Sequence, residues 1–288
     1  MKVKKLIKTF FKGLLAVVMI IALSITMKVF LFASFKIPTS SMEPGIIPGD
    51  YILVNKLILG PRIYKNIAFQ KSEKIEIVRL KGLGQVNRND ILVFNFPYPN
   101  PDKIEPDLNM HWVKRCIAIP GDTFFIENGI YKVAGYPDSL GIFHQQIALG
   151  QMADTEFLDE VFNCFPGDTL YNWNIKNFGP LYIPGKGDRI VLNTQNILLY
   201  KNLINYETNQ EVTLEDGEIY LGSQLCPSYT FKQNYYFMSG DWIFDSQDSR
   251  YWGLLPEDLI IGKAVIIWKS IDPYSGEFKW KRFMKIIQ

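Results

Sequence analysis

Histidine is scarce in this sequence, which has two histidines, His111 and His144, among its 288 residues. Neither lies in a recognisable His–Asp–Ser arrangement, although the members of such an arrangement need not be close in sequence. A hydrolytic mechanism, if the chain has one, is therefore expected to use another base. A lysine can serve, because burial in apolar surroundings lowers its pKa and favours the neutral amine.

Cysteine is also scarce, and the three cysteines show no CxxC or His/Cys spacing that would indicate a metal site. We predict neither a metal nor a cofactor. If the domain is exported, Cys164 and Cys226 could form a disulfide, and buried free thiols are the alternative. The formal net charge of +2 gives no reason to expect nucleic acid as a partner, and none is predicted.

Acidic residues are absent from the first twelve positions, which contain five lysines (Lys2, Lys4, Lys5, Lys8 and Lys12). An apolar run follows from 13 to 35. As a helix it would be about 35 Å long, enough to cross a bilayer core of roughly 30 Å. The lysines predict a cytoplasmic basic tail over 1–12, a transmembrane anchor over 13–35 and the remainder on the other side. A cleaved signal peptide is the alternative interpretation.

The rest of the chain has few helical patterns and many strand patterns. Turn residues are repeatedly followed by short runs of β-branched and aromatic residues, which are typical of strands. Six such segments are 48–56, 88–96, 120–129, 186–193, 217–222 and 263–269. The sequence therefore predicts a mainly β fold, either a sandwich or an open barrel, with an antiparallel sheet as its core.

Three segments depart from this pattern. Residues 153–163 are the best helix candidate, and 97–110 are rich in Pro, Asp and Asn, as expected of a long exposed loop. The terminal segment 278–288 mixes basic and aromatic residues. It could contact lipid headgroups or form a terminal strand with one solvated face.

An inserted subdomain is predicted in the middle of the chain. Residues 134–185 are heterogeneous, with scattered glycines, prolines and aromatics, and are unlike the regular strand pattern on either side. We expect a β-rich insert over 123–235, which leaves 36–122 and 236–288 as two parts of one antiparallel β core. The predicted fold class is thus mainly β, with an N-terminal transmembrane helix.

Two stretches contain a nucleophile candidate and a base candidate. IPTSSMEPG, over 37–45, has three consecutive hydroxyl residues directly after the apolar run. HWVKRCIAIPGD, over 111–122, has Lys114 inside a predicted strand, where alternation places it on one face with Trp112 and Cys116. Such neighbours make Lys114 a candidate for desolvation, although an edge-strand lysine that reaches water is the usual case.

A third stretch, over 239–256, places charged side chains among large aromatics. Asp248 and Arg250 form a natural ion pair there, since buried charges require partners. Taken alone, this stretch fits a structural turn held by a salt bridge as well as it fits a functional site.

These three stretches resemble, in order and context, the sequence boxes of type I signal peptidases, also called leader peptidases. The serine box resembles IPTSSMEPGIIPGDYILVNK, the lysine box resembles VKRCIAIPGD, and the third box is similar to GDWIFDSQDSRYWG. That family consists of membrane-anchored serine proteases with a Ser–Lys dyad. The resemblance implies that Ser41 is the nucleophile, Lys114 the general base and Thr39 a donor to the oxyanion hole.

The resemblance also implies supporting and substrate-binding residues. The supporting residues are Arg115, Asp241, Ser246, Asp248 and Arg250, and the candidates for shallow substrate pockets are Phe35, Ile37, Met42, Ile46, Trp112 and Val113. The sequence departs from the family pattern at two positions that matter here. Ile243 replaces an arginine, and Gly45 stands where threonine is frequent.

The expected activity is removal of N-terminal signal peptides from exported preproteins, with cleavage after small residues of the Ala-x-Ala type. The expected partners are preproteins and the lipid bilayer. The expected location is the cell (inner) membrane, with a single span and the catalytic domain on the extracytoplasmic (periplasmic) side. The alternatives are a Ser–Lys maturation protease for one dedicated substrate and a catalytically inactive, membrane-tethered domain that binds signal peptides.

Overall fold

A long N-terminal helix leads directly into the first strand. The computed structural model describes residues 2–64 and 77–288, so residues 65–76 of the predicted core range lie outside the described residues. Helix α1 spans Lys2–Thr26, a π-helical turn spans Met27–Leu31, and strand β1 spans Phe32–Lys36.

The helix therefore ends before the predicted limit of the anchor at residue 35. The last residues of the apolar run pair with the next strand instead, which supplies partners for their backbone hydrogen bonds. The part Lys8–Thr26 is long and apolar enough to cross a membrane and is fully exposed. A membrane anchor and an N-terminal signal sequence are alike in length and composition.

Short strands are the commonest regular structure in the rest of the described chain. In chain order these are β2 (Asp50–Asn55), β3 (Arg62–Tyr64), β4 (Ile77–Arg79), β5 (Ile91–Asn95), β6 (His111–Ala118), β7 (Thr123–Glu127), β8 (Ile130–Val133), β9 (Phe178–Tyr182), β10 (Arg189–Val191), β11 (Val212–Glu215), β12 (Glu218–Leu221), β13 (Gln224–Leu225), β14 (Ser228–Thr230), β15 (Tyr235–Ser239), β16 (Leu255–Pro256), β17 (Ile260–Ser270) and β18 (Lys285–Ile286). The other α-helices are α2 (Phe143–Gln151), α3 (Asp159–Phe162), α4 (Ile197–Thr208) and α5 (Ser249–Trp252).

One eight-stranded antiparallel sheet forms the centre of the molecule. Its strand order is β1-β2-β17-β5-β6-β15-β16, and β18 pairs with β17. Central strand β5 is buried along its whole length, and its side chains alternate between two hydrophobic layers. Leu92 and Phe94 belong to the larger layer, and Ile91 and Val93 belong to the smaller one. The sheet is thus covered on both faces, and any polar group within a layer is shielded from water.

Smaller antiparallel sheets occupy the middle of the chain. They are β8-β7-β9, β10-β14 and β11-β12-β13, and they contribute to the larger hydrophobic layer of the main sheet. The predicted mainly β, antiparallel fold is confirmed. The predicted division into a core and an insert stays a prediction, because one hydrophobic layer joins residues of both.

Each of the six predicted strand segments contains an observed strand, but the predicted helix over 153–163 is wrong. That stretch has a 3₁₀ turn over Asp154–Glu156 and the single-turn α3, with the extended Leu158 between them. The rings of Phe157 and Phe162 stack at a centroid distance of 5.9 Å, a local contact that does not require a continuous helix. The well-formed helices of the insert are α2 and α4.

Other local predictions are only partly matched. Within 97–110 Tyr98 and Ile104 are buried, so that loop is not wholly exposed. Cys116, Cys164 and Cys226 are free thiols, as in the second of the two interpretations for cysteine. Part of the terminal segment is β18, which fits the terminal-strand interpretation.

Candidate active site

Ser41 lies in the turn that joins β1 to β2. The side chains of Met42 and Ile46 are buried in the smaller hydrophobic layer, and the Ile46 N–H donates to the Met42 carbonyl at 2.9 Å. A second turn bond runs from the Glu43 N–H to the Ser40 carbonyl at 2.8 Å. Because apolar burial fixes the residues that follow it, Ser41 is held on a rigid turn while its own side chain stays partly accessible.

A guanidinium from the C-terminal part of the chain holds the end of the same turn. Arg282 donates to the Gly45 carbonyl at 2.9 Å and to both carboxylate oxygens of Asp50, which is fully buried. Asp50 also accepts the Ile47 N–H at 2.9 Å. Residues more than 230 positions apart thus fix the serine turn by a charge-assisted, bidentate contact.

Lys114 reaches Ser41 from strand β6. The register pairs Lys114 with Leu92, which is fully buried, and pairs the neighbouring Phe94 with Trp112. Lys114 itself is 4% exposed. Its Nζ donates to Ser41 Oγ at 2.7 Å and to Ser246 Oγ at 3.1 Å. The amine therefore lies between two hydroxyls and is shielded from water, and its strand position faces Leu92 of the larger hydrophobic layer.

These surroundings lower the pKa of Lys114 to about 8. The main cause is burial, which disfavours the charged amine, and the nearby Arg250 lowers the pKa further. Asp248 acts in the opposite direction because its negative charge favours the ammonium form. At that pKa about a tenth of the amine is neutral at pH 7, far more than for an ordinary lysine, and a lysine general base acts in its neutral form.

Ser246 joins Lys114 to a buried ion pair. Its Oγ donates to Asp248 Oδ2 at 2.8 Å, and the same carboxylate accepts from Arg250 Nε and Nη2 at 2.8 and 2.9 Å. Asp248 and Arg250 are both fully buried. Burial alone would raise the pKa of the Asp248 carboxyl, but the Arg250 guanidinium, with smaller contributions from Lys114 and the Gly240 N–H, outweighs burial and the pKa is lowered. Asp248 is thus held as a carboxylate that orients Ser246.

Arg115, the neighbour of Lys114, forms a separate ion pair. It lies opposite Ile91 and donates from Nε and Nη2 to the two oxygens of Asp241, each at 2.7 Å. Its Nη1 donates to the Asn89 carbonyl at 2.8 Å. The pair joins β6 to the segment that follows β15, and so holds two of the three sequence boxes together.

Gly240 allows the third box to approach the serine turn. A Cβ at this position would lie 2.7 Å from the Ser41 carbonyl oxygen and would clash with Ser246 Oγ. Two residues later, the Trp242 N–H donates a hydrogen bond to the same Ser41 carbonyl at 3.1 Å. A glycine is required here because two site residues leave no room for a side chain.

A cleft of about 1070 Å³ opens beside Ser41 and Lys114. Thr39 lies exposed on its wall. Most of the predicted pocket residues also line the cleft: Phe35, Trp112 and Val113 are half-buried, and Ile37 and Met42 are buried. Ile46 is different, because it is fully buried beneath the serine turn rather than on the wall. A substrate would meet apolar side chains next to Ser41 and Lys114, together with the acidic side chains of Glu43, Asp245 and Asp272.

The two histidines lie apart from this hydrogen-bond network. His111 lines the cleft at the start of β6, and its ring lies 5.0 Å from that of Phe35. Burial lowers the pKa of His111, which favours the neutral ring. His144 is exposed near the start of α2. Of the two, only His111 is near enough to the cleft to meet a bound peptide.

Comparison with known proteins gives the family. The sequence model of the family described as "Signal peptidase, peptidase S26" matches residues 9–157 and 181–269. The chain belongs to this family. A signal peptidase I of Buchnera aphidicola (subsp. Acyrthosiphon pisum) is 31% identical over 278 residues, which cover 94% of this chain and 79% of the relative. A signal peptidase I of Aquifex aeolicus is 25% identical and covers 90% of this chain and 84% of its own.

A solved structure gives a weaker match. The crystal structure of a signal peptidase I from Enterococcus faecalis V583 is 20% identical, covering 62% of this chain and 95% of that one, with a TM-score of 0.28. That score is too low to support a conclusion. As a member of the signal peptidase family the chain is a serine peptidase, a hydrolase of peptide bonds that removes signal peptides, and its apolar N-terminal helix is consistent with membrane anchoring.

Ile243 and Gly45, the two residues that differ from the signal peptidase pattern, both lie against site residues. Ile243 is buried, and its carbonyl accepts from Arg250 Nη2 at 3.0 Å. Gly45 lies so near Asp241 that a Cβ there would be 3.1 Å from Oδ2. Sequence reasoning also missed Arg282, whose only signal was its place in a basic, aromatic terminal segment.

Proposed function

We propose that this chain removes signal peptides from exported preproteins with Ser41 as nucleophile and Lys114 as general base. The observation that carries the proposal is the 2.7 Å contact between Lys114 Nζ and Ser41 Oγ, made by a lysine that is almost fully buried. A hydroxyl needs a base within hydrogen-bond reach to attack a carbonyl. Lys114 fulfils that condition, and its lowered pKa supports the neutral state that the role needs.

The proposed reaction is acyl transfer. Neutral Lys114 accepts the Ser41 proton as Oγ attacks the scissile carbonyl carbon. The resulting ammonium then gives a proton to the leaving amine, so that the acyl-enzyme forms as the new N-terminus departs. A water activated by Lys114 next attacks the ester and releases Ser41 with its proton. The Ser41 N–H and the Thr39 hydroxyl would stabilise the oxyanion, and one such donor is typically worth about 10²–10³ in rate.

The proposed specificity is for small side chains at the −1 and −3 positions, as in Ala-x-Ala. We expect the bulky side chains of the cleft wall to leave only shallow apolar pockets, which would suit alanine better than a large residue. Phe35, Val113 and Trp112 are the wall residues that we assign to these positions, together with the largely buried Ile37 and Met42.

The proposed location is the inner membrane, with a cytoplasmic N-terminus and the catalytic domain on the periplasmic side. The lysines at the N-terminal end of α1, ahead of its apolar part, support this orientation. The serine turn begins a few residues after β1, so a tether at the bilayer would keep the cleft near substrates that are also membrane-bound. Confining both reactants raises their effective concentration.

Cleavage of a preprotein tests this proposal. The purified full chain in detergent is incubated with a preprotein that has Ala-x-Ala before its mature part, and with a matched preprotein that has a bulky residue at −1. We expect cleavage of the first only, and its loss in Ser41→Ala and Lys114→Ala. Absence of cleavage by the unaltered chain, or undiminished cleavage by either variant, would contradict the proposal.

A further inference from the structure

Gln145 is a buried polar residue outside the sequence boxes that nevertheless contacts one of them. It lies on α2, within the middle region of the chain, and is 4% exposed. Its Oε1 accepts the backbone N–H of Ile243 at 3.0 Å. Ile243 begins the 3₁₀ turn Ile243–Asp245, which directly precedes Ser246.

The next residue on α2 fixes the helix itself. Gln146 is fully buried, donates to the Leu140 carbonyl and accepts the Tyr131 N–H at 2.9 Å. One of two adjacent glutamines therefore attaches α2 to β8, while the other reaches from α2 to the site. Gln145 therefore has a fixed position on α2, from which it holds the 243–245 turn.

A continuous set of hydrogen bonds joins Gln145 to the lysine. The Ile243 carbonyl accepts from Arg250 Nη2 at 3.0 Å, and Arg250 binds Asp248. Asp248 accepts from Ser246, which in turn accepts from Lys114 Nζ at 3.1 Å. Both backbone polar groups of Ile243 are thus used, one toward α2 and one toward the ion pair.

We infer that Gln145 is a positioning residue for the Ser41–Lys114 site, which it serves by fixing the turn that carries Ser246. The inference rests on the proposed function and extends it to a residue that contacts neither the lysine nor the cleft. It also gives a physical account of Ile243. With an aliphatic side chain at that position, the turn is held through its backbone, and the acceptor for its N–H comes from α2.

The expected consequence of losing this contact concerns the surroundings of Lys114. The charged groups that act on Lys114 are Asp248, Arg250, Asp241 and Asp245, and all four lie on the segment that Gln145 helps to hold. A loosened segment admits water beside the amine. Because burial is the main cause of the lowered pKa, better hydration would raise it toward the ordinary lysine value.

The test compares the pH dependence of kcat/KM in the full chain with that of three variants. Gln145→Met removes the acceptor, and Gln145→Asn shortens the side chain so that it falls short of Ile243. Asn205→Leu is the matched control, because Asn205 on α4 likewise accepts one backbone N–H, that of Val212, at 2.8 Å. Thermal unfolding of each variant in detergent measures the loss of stability.

We expect both Gln145 variants to lose about tenfold in kcat/KM near neutral pH, with the acid limb shifted to higher pH. Asn205→Leu should lose stability without a shift of the limb. A limb that stays in place in folded Gln145→Asn, or that shifts equally in Asn205→Leu, would overturn the inference. These results leave the proposed function intact, since that is judged by cleavage in the unaltered chain; if Gln145→Met does not fold, Gln145→Asn decides.

Discussion

Two adjacent basic residues on strand β6 have different hydrogen-bond partners. Lys114 and Arg115 lie opposite Leu92 and Ile91, which belong to the two different hydrophobic layers of the sheet. Arg115 binds both oxygens of a buried carboxylate. Lys114 contacts two hydroxyls, and its nearest link to a carboxylate passes through Ser246.

The difference shows how one strand can carry a basic residue with a structural role next to a reactive one. A bidentate carboxylate binds a guanidinium in a fixed geometry, so the Arg115–Asp241 pair has a structural role. A hydroxyl can accept from an ammonium or donate to a neutral amine, so it serves Lys114 in both states. Desolvation then decides the balance, and it lowers the pKa of Lys114 to about 8.

The largest expected effect comes from removing the lysine. Lys114→Met should lower kcat/KM by about 10⁴-fold, because Ser41 loses its base. The free energy of unfolding should change by less than about 1 kcal/mol, since an apolar side chain of similar size replaces a buried amine. Initial rates of preprotein cleavage and urea unfolding in detergent measure the two effects.

Replacing Arg115 should mainly lower the stability of the protein, whereas replacing Lys114 should mainly lower its activity. Arg115→Met leaves Asp241 buried without its partner, and we expect a loss of about 3–5 kcal/mol in the free energy of unfolding. Urea unfolding measures this. The double variant Arg115→Met with Asp241→Leu is the control and should regain at least half of the loss. A fully stable Arg115→Met would break the comparison, because the pair would then have no structural role.

A smaller effect is expected from the hydroxyl that links Lys114 to Asp248. Ser246→Ala should lower kcat by about 10–10²-fold, because Lys114 loses one of the two groups that orient it. Single-turnover cleavage rates at saturating enzyme separate this effect from substrate binding. Ser246→Thr keeps a hydroxyl and should retain more activity than Ser246→Ala; equal losses would indicate that the hydroxyl has no role in orientation.

The smallest expected effect lies in the serine turn itself. Ser40→Ala should change kcat/KM by no more than about twofold, because the turn bond at this residue is accepted by its backbone carbonyl from the Glu43 N–H and does not use its hydroxyl. Thr39→Val is the matched variant on the cleft wall, and we expect it to be much slower. Equal rates for the two variants would contradict the assignment of Thr39 to the oxyanion hole.

The family resemblance assigned much of the candidate site, because its residues lie in three short stretches that match the family's boxes. Local pattern alone gave less: it made Lys114 a candidate for desolvation and Asp248–Arg250 an ion pair, but it did not choose Ser41 among three hydroxyl residues. The strands could be predicted locally, because turn residues precede short runs of β-branched and aromatic residues. The helix predicted over 153–163 was wrong because the backbone is extended at Phe157 and Leu158, which separate the 3₁₀ turn from α3.

The long-range supports could not be predicted in this way. Arg282 binds Asp50, which lies 232 positions away in the sequence, and Gln145 accepts from Ile243, which lies 98 positions away. Neither residue has a sequence neighbour that indicates its partner, because the contact depends on how whole strands and helices pack. The low exposure of Lys114 likewise depends on its register with Leu92, which the spacing of residues along one strand does not give.

The pH dependence of kcat/KM for preprotein cleavage by the unaltered chain tests the central claim most directly, because it reports the essential base of the free enzyme. Lys114 is inactive when protonated, so activity should fall as the pH decreases through its pKa of about 8 and should level off above it. A rate that still rises tenfold per pH unit near the ordinary lysine pKa of about 10.4 would contradict the account, since Lys114 would then behave as a solvated lysine.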